Sequence, residues 1–220
     1  YHAYDGLDEF KKVFKEDWDI KFLDWGGTEC FILSCPKNYI VSFRGTQATS
    51  WEDIKADINV HKSKREYQPN NSGTGSVGKV HSGFRHALND VWDNLLEDYK
   101  KNAQGKQLLV TGHSLGAALA TLYTDRINDP KSVCYTFGSP RVGNKDLISN
   151  MNFTCYRFRN NNDIVTRVPF EWLGFTHKST ELKYFNVDGI VRHGFDRWYL
   201  FFQWVKGCLL YTSDAADDAN

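Results

Sequence analysis

The chain has 220 residues, of which 41% are hydrophobic and 15% aromatic, enough to close one good-sized core, so a single domain is expected. Its 27 basic and 27 acidic side chains cancel, so no global field draws it to nucleic acid or to an anionic membrane, and partners must be sought in local features. No apolar run reaches the roughly 18 residues that span a bilayer, and the opening YHAYDGLDEF carries neither an initiator Met nor a leader pattern, which leaves the compartment open.

In chain order, residues 20–25, 29–35 and 38–43 read as strands, separated by Gly26-Gly27 and by Pro36-Lys37-Asn38, and so predict a meander of paired strands. Residues 61–79 are polar and Gly-rich and read as a surface loop. From Ser82, apolar residues at Phe84, Leu88, Val91, Trp92, Leu95, Leu96 and Tyr99 repeat as on an amphipathic helix. Then follow a short apolar strand at 107–112, an Ala- and Leu-rich helix at 115–127, and further strands at 132–138, 153–159 and 181–185, the last of these expected to end the sheet. Strands alternating with helical or loop connections predict an α/β fold with a mostly parallel central sheet flanked by helices. The five cysteines, Cys30, Cys35, Cys134, Cys155 and Cys208, lack the spacing of a zinc site or a dense disulfide framework and read as buried free thiols.

One stretch stands apart. TGHSLGAAL, residues 111–119, sets Ser114 between Gly112 and Gly116, after an apolar strand and before an apolar helix. A serine hydroxyl is a poor nucleophile until it is exposed and oriented. A sharp strand-to-helix turn with small residues on either side does both, and the free N–H groups of the following helix face the place where an oxyanion would form. The competing reading is a serine in an ordinary turn, and the strand and helix on its two flanks favour the nucleophile. The order of such sites then asks for an acid on a loop after a later strand. Asp163 meets that requirement behind Asn160-Asn161-Asn162. On the residues alone it competes with a turn-capping role and with Asp146.

The blocks YIVSFRGTQATSWEDIKADI, KVHSGFRHA, LVTGHSLGAALA, YTFGSPRVGN and YRFRNNNDIVTRVP, in that order, resemble the lipase class 3 family, the fungal-type triacylglycerol lipases with their bacterial and plant relatives. The resemblance covers about residues 29–186. It implies an α/β-hydrolase that cleaves acylglycerols or related lipid esters through an acyl-enzyme, with no metal or cofactor, possible contact with a lipid–water interface, and no nucleic-acid partner. It also implies Ser114 as nucleophile, Asp163 as the acid in an Asn-Asp-x-Val-x-x-x-Pro pattern, and Thr46 with the backbone N–H of Leu115 as the oxyanion hole. Arg44 beside Thr46 reads as a structural ion-pair partner. The segment Ala48–Val60 places Trp51, Ile54 and Ile58 on one helical face, which suits a lid over the site as well as a surface helix packed permanently down.

The base is harder to find. His113 adjoins the serine and is expected to point away from it. His81 precedes the serine in a block that is structural in the family. His177 occupies a position whose histidine is not the triad member, with Ser179 where the family block carries glycine. The family's triad histidine follows an Asp near the domain's end, and no Asp-His pair occurs here, which leaves His193 as a distant substitute. Residues 1–207 are therefore expected to be an incomplete domain of this family. Residues 208–220, CLLYTSDAADDAN, resemble a translated sequencing adapter, against the alternative of a natural acidic tail.

Overall fold

The computed structural model describes residues 18–45, 78–160 and 163–185, together with the backbone of 62–64 and 191–193. The predicted meander is present: β1 (Asp19–Trp25), β2 (Thr28–Ser34) and β3 (Asn38–Phe43) pair antiparallel in sequence. Gly26 and Gly27, at φ of +60° and +79°, make the two-residue turn between β1 and β2, a bend whose twist matches that of the strands. The polar segment 61–79 is not wholly irregular, because β4 (Lys62–Lys64) pairs antiparallel with β5 (Lys79–His81) at its two ends.

Helix α1 (Ser82–Asn102) starts where His81 accepts the Phe84 N–H on its ring and buries Phe84, Leu88, Val91 and Leu95, the predicted stripe. Strand β6 (Gln107–His113) lies parallel to β3, and α2 (Leu115–Ile127) follows after a single residue. Strand β7 (Val133–Phe137), the short helix α3 (Lys145–Ser149), β8 (Thr154–Asn160) and β9 (Glu181–Phe185) continue the sheet in parallel. A further strand, β10 (Val191–His193), pairs antiparallel with β9, so the sheet extends one strand beyond the expected last one. The order is β1-β2-β3-β6-β7-β8-β9-β10.

Alternation along the strands sends Tyr39, Val41, Phe43, Leu108, Val110 and Cys134 into one core beneath α1 and α2. Helix α2 packs against β3, β6, β7 and α1 and is buried from Gly116 through Asp125, which explains why its sequence is apolar all round rather than striped. Cys30, Cys134 and Cys155 are buried and Cys35 is half-buried; all four are free thiols. None of the described helices is long and apolar enough to cross a membrane.

Candidate active site

The turn between β6 and α2 is made by one residue, Ser114, at φ 54° and ψ −124°. That conformation is costly for a residue with a Cβ and marks stored local strain. It is held from both sides: the Ser114 N–H donates to Phe137 O at the end of β7 (3.0 Å), and its carbonyl accepts from Ala117 N at 3.0 Å. The hydroxyl makes no capping bond to the helix.

The two flanking glycines are required by contact. A Cβ on Gly112 would lie 2.3 Å from the Gly116 carbonyl carbon, and one on Gly116 would lie 2.4 Å from Phe43 O and 2.7 Å from Arg44 O. The end of β3 thus passes directly over the start of α2. Gly45 follows the same path, its Cβ position 3.5 Å from the Ser114 Cβ. Thr46, the next residue and a candidate oxyanion donor, lies outside the described residues, as does the candidate lid at 48–60. Leu115, the other candidate donor, is half-buried and opens α2, where a first-turn N–H has no intrahelical acceptor. Arg44 forms an ion pair with Glu29, the structural role read from its sequence.

Asp163 follows β8 on a tight turn. Its N–H donates to Asn160 O (2.9 Å), its Oδ1 accepts from Val165 N (3.0 Å), and its carbonyl accepts from the buried Thr166 hydroxyl (2.7 Å). The other carboxylate oxygen, Oδ2, lies 2.7 Å from where a Cβ on Gly138 would stand, and His113 Nε2 lies 3.4 Å from the same point. Ser114 and Asp163 therefore approach the Phe137–Gly138 end of β7 from the two neighbouring strands, β6 and β8. The rival acid, Asp146, instead sits in the first turn of α3, where its carboxylate accepts from Asn144 Nδ2 at 3.2 Å. Burial raises the Asp163 pKa above the ordinary carboxylate value, opposed by the Val165 N–H and by the charges of His113, Arg159 and Arg157.

Those arginines were not among the residues singled out from the sequence. Arg157 and Arg159 share the inward face of β8 with Cys155, and the two-residue period of the strand carries that signal. Arg157 is held down to about 10 by burial and then by its cationic neighbours Arg159 and Arg141. Arg141 ties the segment after Asp163 together: its guanidinium donates to the carbonyls of Arg167 and Pro169 and pairs with Glu171 at 2.7 Å.

None of the described histidines links Ser114 to Asp163. His113 is exposed on the Asp163 side of Gly138 and hydrogen-bonds to neither residue. His177 is half-buried, with Nε2 2.8 Å from Thr166 O and 3.1 Å from an Arg157 amino group. Its pKa lies well below the usual imidazole value, first from burial and then from Arg157, so the ring is neutral. Nε2–H donation to the shorter contact, the Thr166 carbonyl, makes it a brace for the Asp163 turn. His81 is stacked on Phe84 at 4.1 Å in the core. His193 lies opposite Lys183 on β10, and its side chain is outside the described residues.

A family model for lipase (class 3) matches residues 40–172, more than half of the chain. Phospholipase A(1) DAD1 of Arabidopsis thaliana is 32% identical over 60% of this chain and 34% of its own length. Triacylglycerol lipase OBL1 of Ricinus communis is 27% identical over 79% of this chain and 45% of its own. The chain thus spans less than half the length of these two curated relatives. Among solved structures, a triacylglycerol lipase whose catalytic centre is formed by a serine protease triad superposes with a TM-score of 0.64 at 26% identity, covering 80% of this chain and 70% of that one. A mostly parallel sheet with a strained serine between β6 and α2, and a family match running across both, lead to one assignment: the chain belongs to the lipase (class 3) family of α/β-hydrolases.

Proposed function

We propose that the chain carries the nucleophile and acid of a serine carboxylic-ester hydrolase acting on acylglycerols or related lipid esters. The observation that carries this reading is the pairing of a strained Ser114, its hydroxyl free of any capping bond, with an Asp163 carboxylate at the next strand end but one. The Ser114 hydroxyl attacks the ester carbonyl while an imidazole accepts its proton. Asp163 orients that imidazole and stabilises its charged form. The Leu115 N–H, joined by Thr46, stabilises the tetrahedral oxyanion, and loss of one such donor typically slows turnover on the order of a hundred- to a thousandfold. Expulsion of the alcohol leaves an acyl-serine that water hydrolyses.

The imidazole comes from outside the described side chains. Residues 1–207 are read as belonging to one domain whose triad histidine lies further along the gene, with residues 208–220 foreign to it and His193 as the alternative base. Lipid esters are favoured as substrates because the related proteins are a phospholipase A(1) and triacylglycerol lipases. Contact with a lipid–water interface follows from the same reading.

A fluorophosphonate probe applied to the gene's full product tests this directly. The expected result is a covalent adduct on Ser114 that is absent from Ser114→Ala, with hydrolysis of emulsified esters exceeding that of dissolved ones. Absence of labelling in a folded protein that still adsorbs to lipid would replace the hydrolase with a catalytically silent lipid-surface binding protein. Labelling with a preference for dissolved esters would replace the lipase with an esterase for soluble or polysaccharide-linked acyl groups.

A further inference from the structure

Two of the five cysteines face each other inside the sheet. Cys134 of β7 and Cys155 of β8 are register partners on adjacent parallel strands, both fully buried. The Cys155 thiol donates to the Lys178 carbonyl at 3.4 Å. Neighbouring strands lie about 4.8 Å apart, within the roughly 4.4–6.8 Å between Cα atoms from which a disulfide closes. Among the described residues the third buried cysteine, Cys30, is held away on β2, with β3 and β6 between it and β7. The buried Thr121 and Thr124 hydroxyls donate to the Ala117 and Ala120 carbonyls of α2, which covers this part of the sheet.

We propose that Cys134 and Cys155 are a disulfide-forming pair, so that the chain, folded under oxidising conditions, ties β7 covalently to β8. The oxidant is a disulfide of the glutathione class. One cysteine thiolate attacks it, forming a mixed disulfide and releasing one glutathione thiol. The second cysteine thiolate then attacks the protein sulfur and expels the other. Two protein thiols are oxidised, one small disulfide is reduced, and the two protons end on the two glutathione thiols. Both sulfurs are shielded once α2 is in place, so closure belongs to folding, before the core is sealed. The tie bears on the candidate site, because β7 supplies the carbonyl that receives the Ser114 N–H and β8 delivers Asp163. It does not depend on the hydrolase reading.

The test refolds the full chain in a glutathione redox buffer and, in parallel, under dithiothreitol. Free thiols are alkylated in denaturant and the unreduced digest is mapped by mass spectrometry. The expected result is a Cys134–Cys155 linked peptide pair in the oxidised folded fraction, absent from the reduced one. The oxidised protein should also melt several degrees higher, a gain lost in the Cys134→Ala/Cys155→Ala variant. Alkylation of both cysteines in the oxidised folded fraction, or linkage of either to Cys30, Cys35 or Cys208, overturns the proposal. The mapping reads the unmutated chain, so it decides the matter even if the double variant fails to fold.

Discussion

Gly138 leaves to the carboxylate of Asp163 the space that a side chain would occupy: Asp163 Oδ2 lies 2.7 Å from the Cβ position of Gly138, whose φ is +58°. The contact joins the end of β7 to the candidate acid. Gly138→Ala would impose two costs. The left-handed backbone costs a residue with a Cβ about 1–2 kcal/mol, and the added methyl must displace either the carboxylate or the strand end. The expected outcome is a urea midpoint lowered by at least the backbone share, together with loss of fluorophosphonate labelling at Ser114 out of proportion to the lost stability. Unchanged stability and labelling would show that the carboxylate does not occupy this place.

Gly116→Ala tests the other close approach. The new methyl would meet the carbonyl oxygens of Phe43 and Arg44 at 2.4 Å and 2.7 Å, and these belong to backbone that cannot rotate away. The strand end must move from the helix start, carrying the chain that leads to Thr46 with it. Overpacking of this kind costs about 1–3 kcal/mol. The upper end is expected here, measured as a lowered chemical-denaturation midpoint, because backbone rather than a flexible side chain receives the clash.

How much of this arrangement could be read in the sequence depends on how local its cause is. The limits of α2 were legible because both ends are set nearby: Ser114 between its two glycines opens it, and Asn128 closes it at φ 57°, the left-handed cap that Asn tolerates. The five-residue α3 was not, since it is too short to show a helical period, although Asn144 caps it by accepting the Leu147 N–H at 3.1 Å. Strand β10 is three residues long and is defined only by its pairing with β9. Within the site, Ser114 was visible from its flanks, whereas Asp163 needed the family resemblance to outweigh a turn-capping role. Gly138 and the inward arginines depend on which strands become neighbours, and a local pattern does not state that.

Asp163 gives a pH test. Its pKa is raised in the fold, chiefly by burial. A native carboxyl that holds its proton where the unfolded one has lost it contributes stability fully present below the unfolded value of about 3.9, and that contribution is lost as pH rises through the native value. Ionised Asp163 therefore weakens the fold near neutrality. Asp163→Asn, which keeps an oxygen for the Val165 N–H, is expected to be more stable than the unmutated protein at pH 7 and equal to it in acid, while losing activity. Urea titrations across that range check the sign, and a variant less stable at pH 7 would show that the carboxylate's contacts outweigh its burial.

His177 predicts the opposite slope. Its ring is half-buried and neutral, with a pKa held well below the usual value by desolvation and by Arg157. Below about pH 6.5 the unfolded chain gains a proton on this residue that the folded one refuses. Folding stability should then fall with acidification by up to about 1.4 kcal/mol per pH unit from this group alone, until the native value is reached. His177→Gln, which can still donate to the Thr166 carbonyl, removes the titration but keeps the brace on the Asp163 turn. Its denaturation midpoint should therefore fall less steeply than that of the unmutated protein between pH 6.5 and 5. Identical slopes in the two proteins would mean that His177 takes up its proton in the fold, which the adjacent Arg157 guanidinium and the loss of water around the ring both oppose.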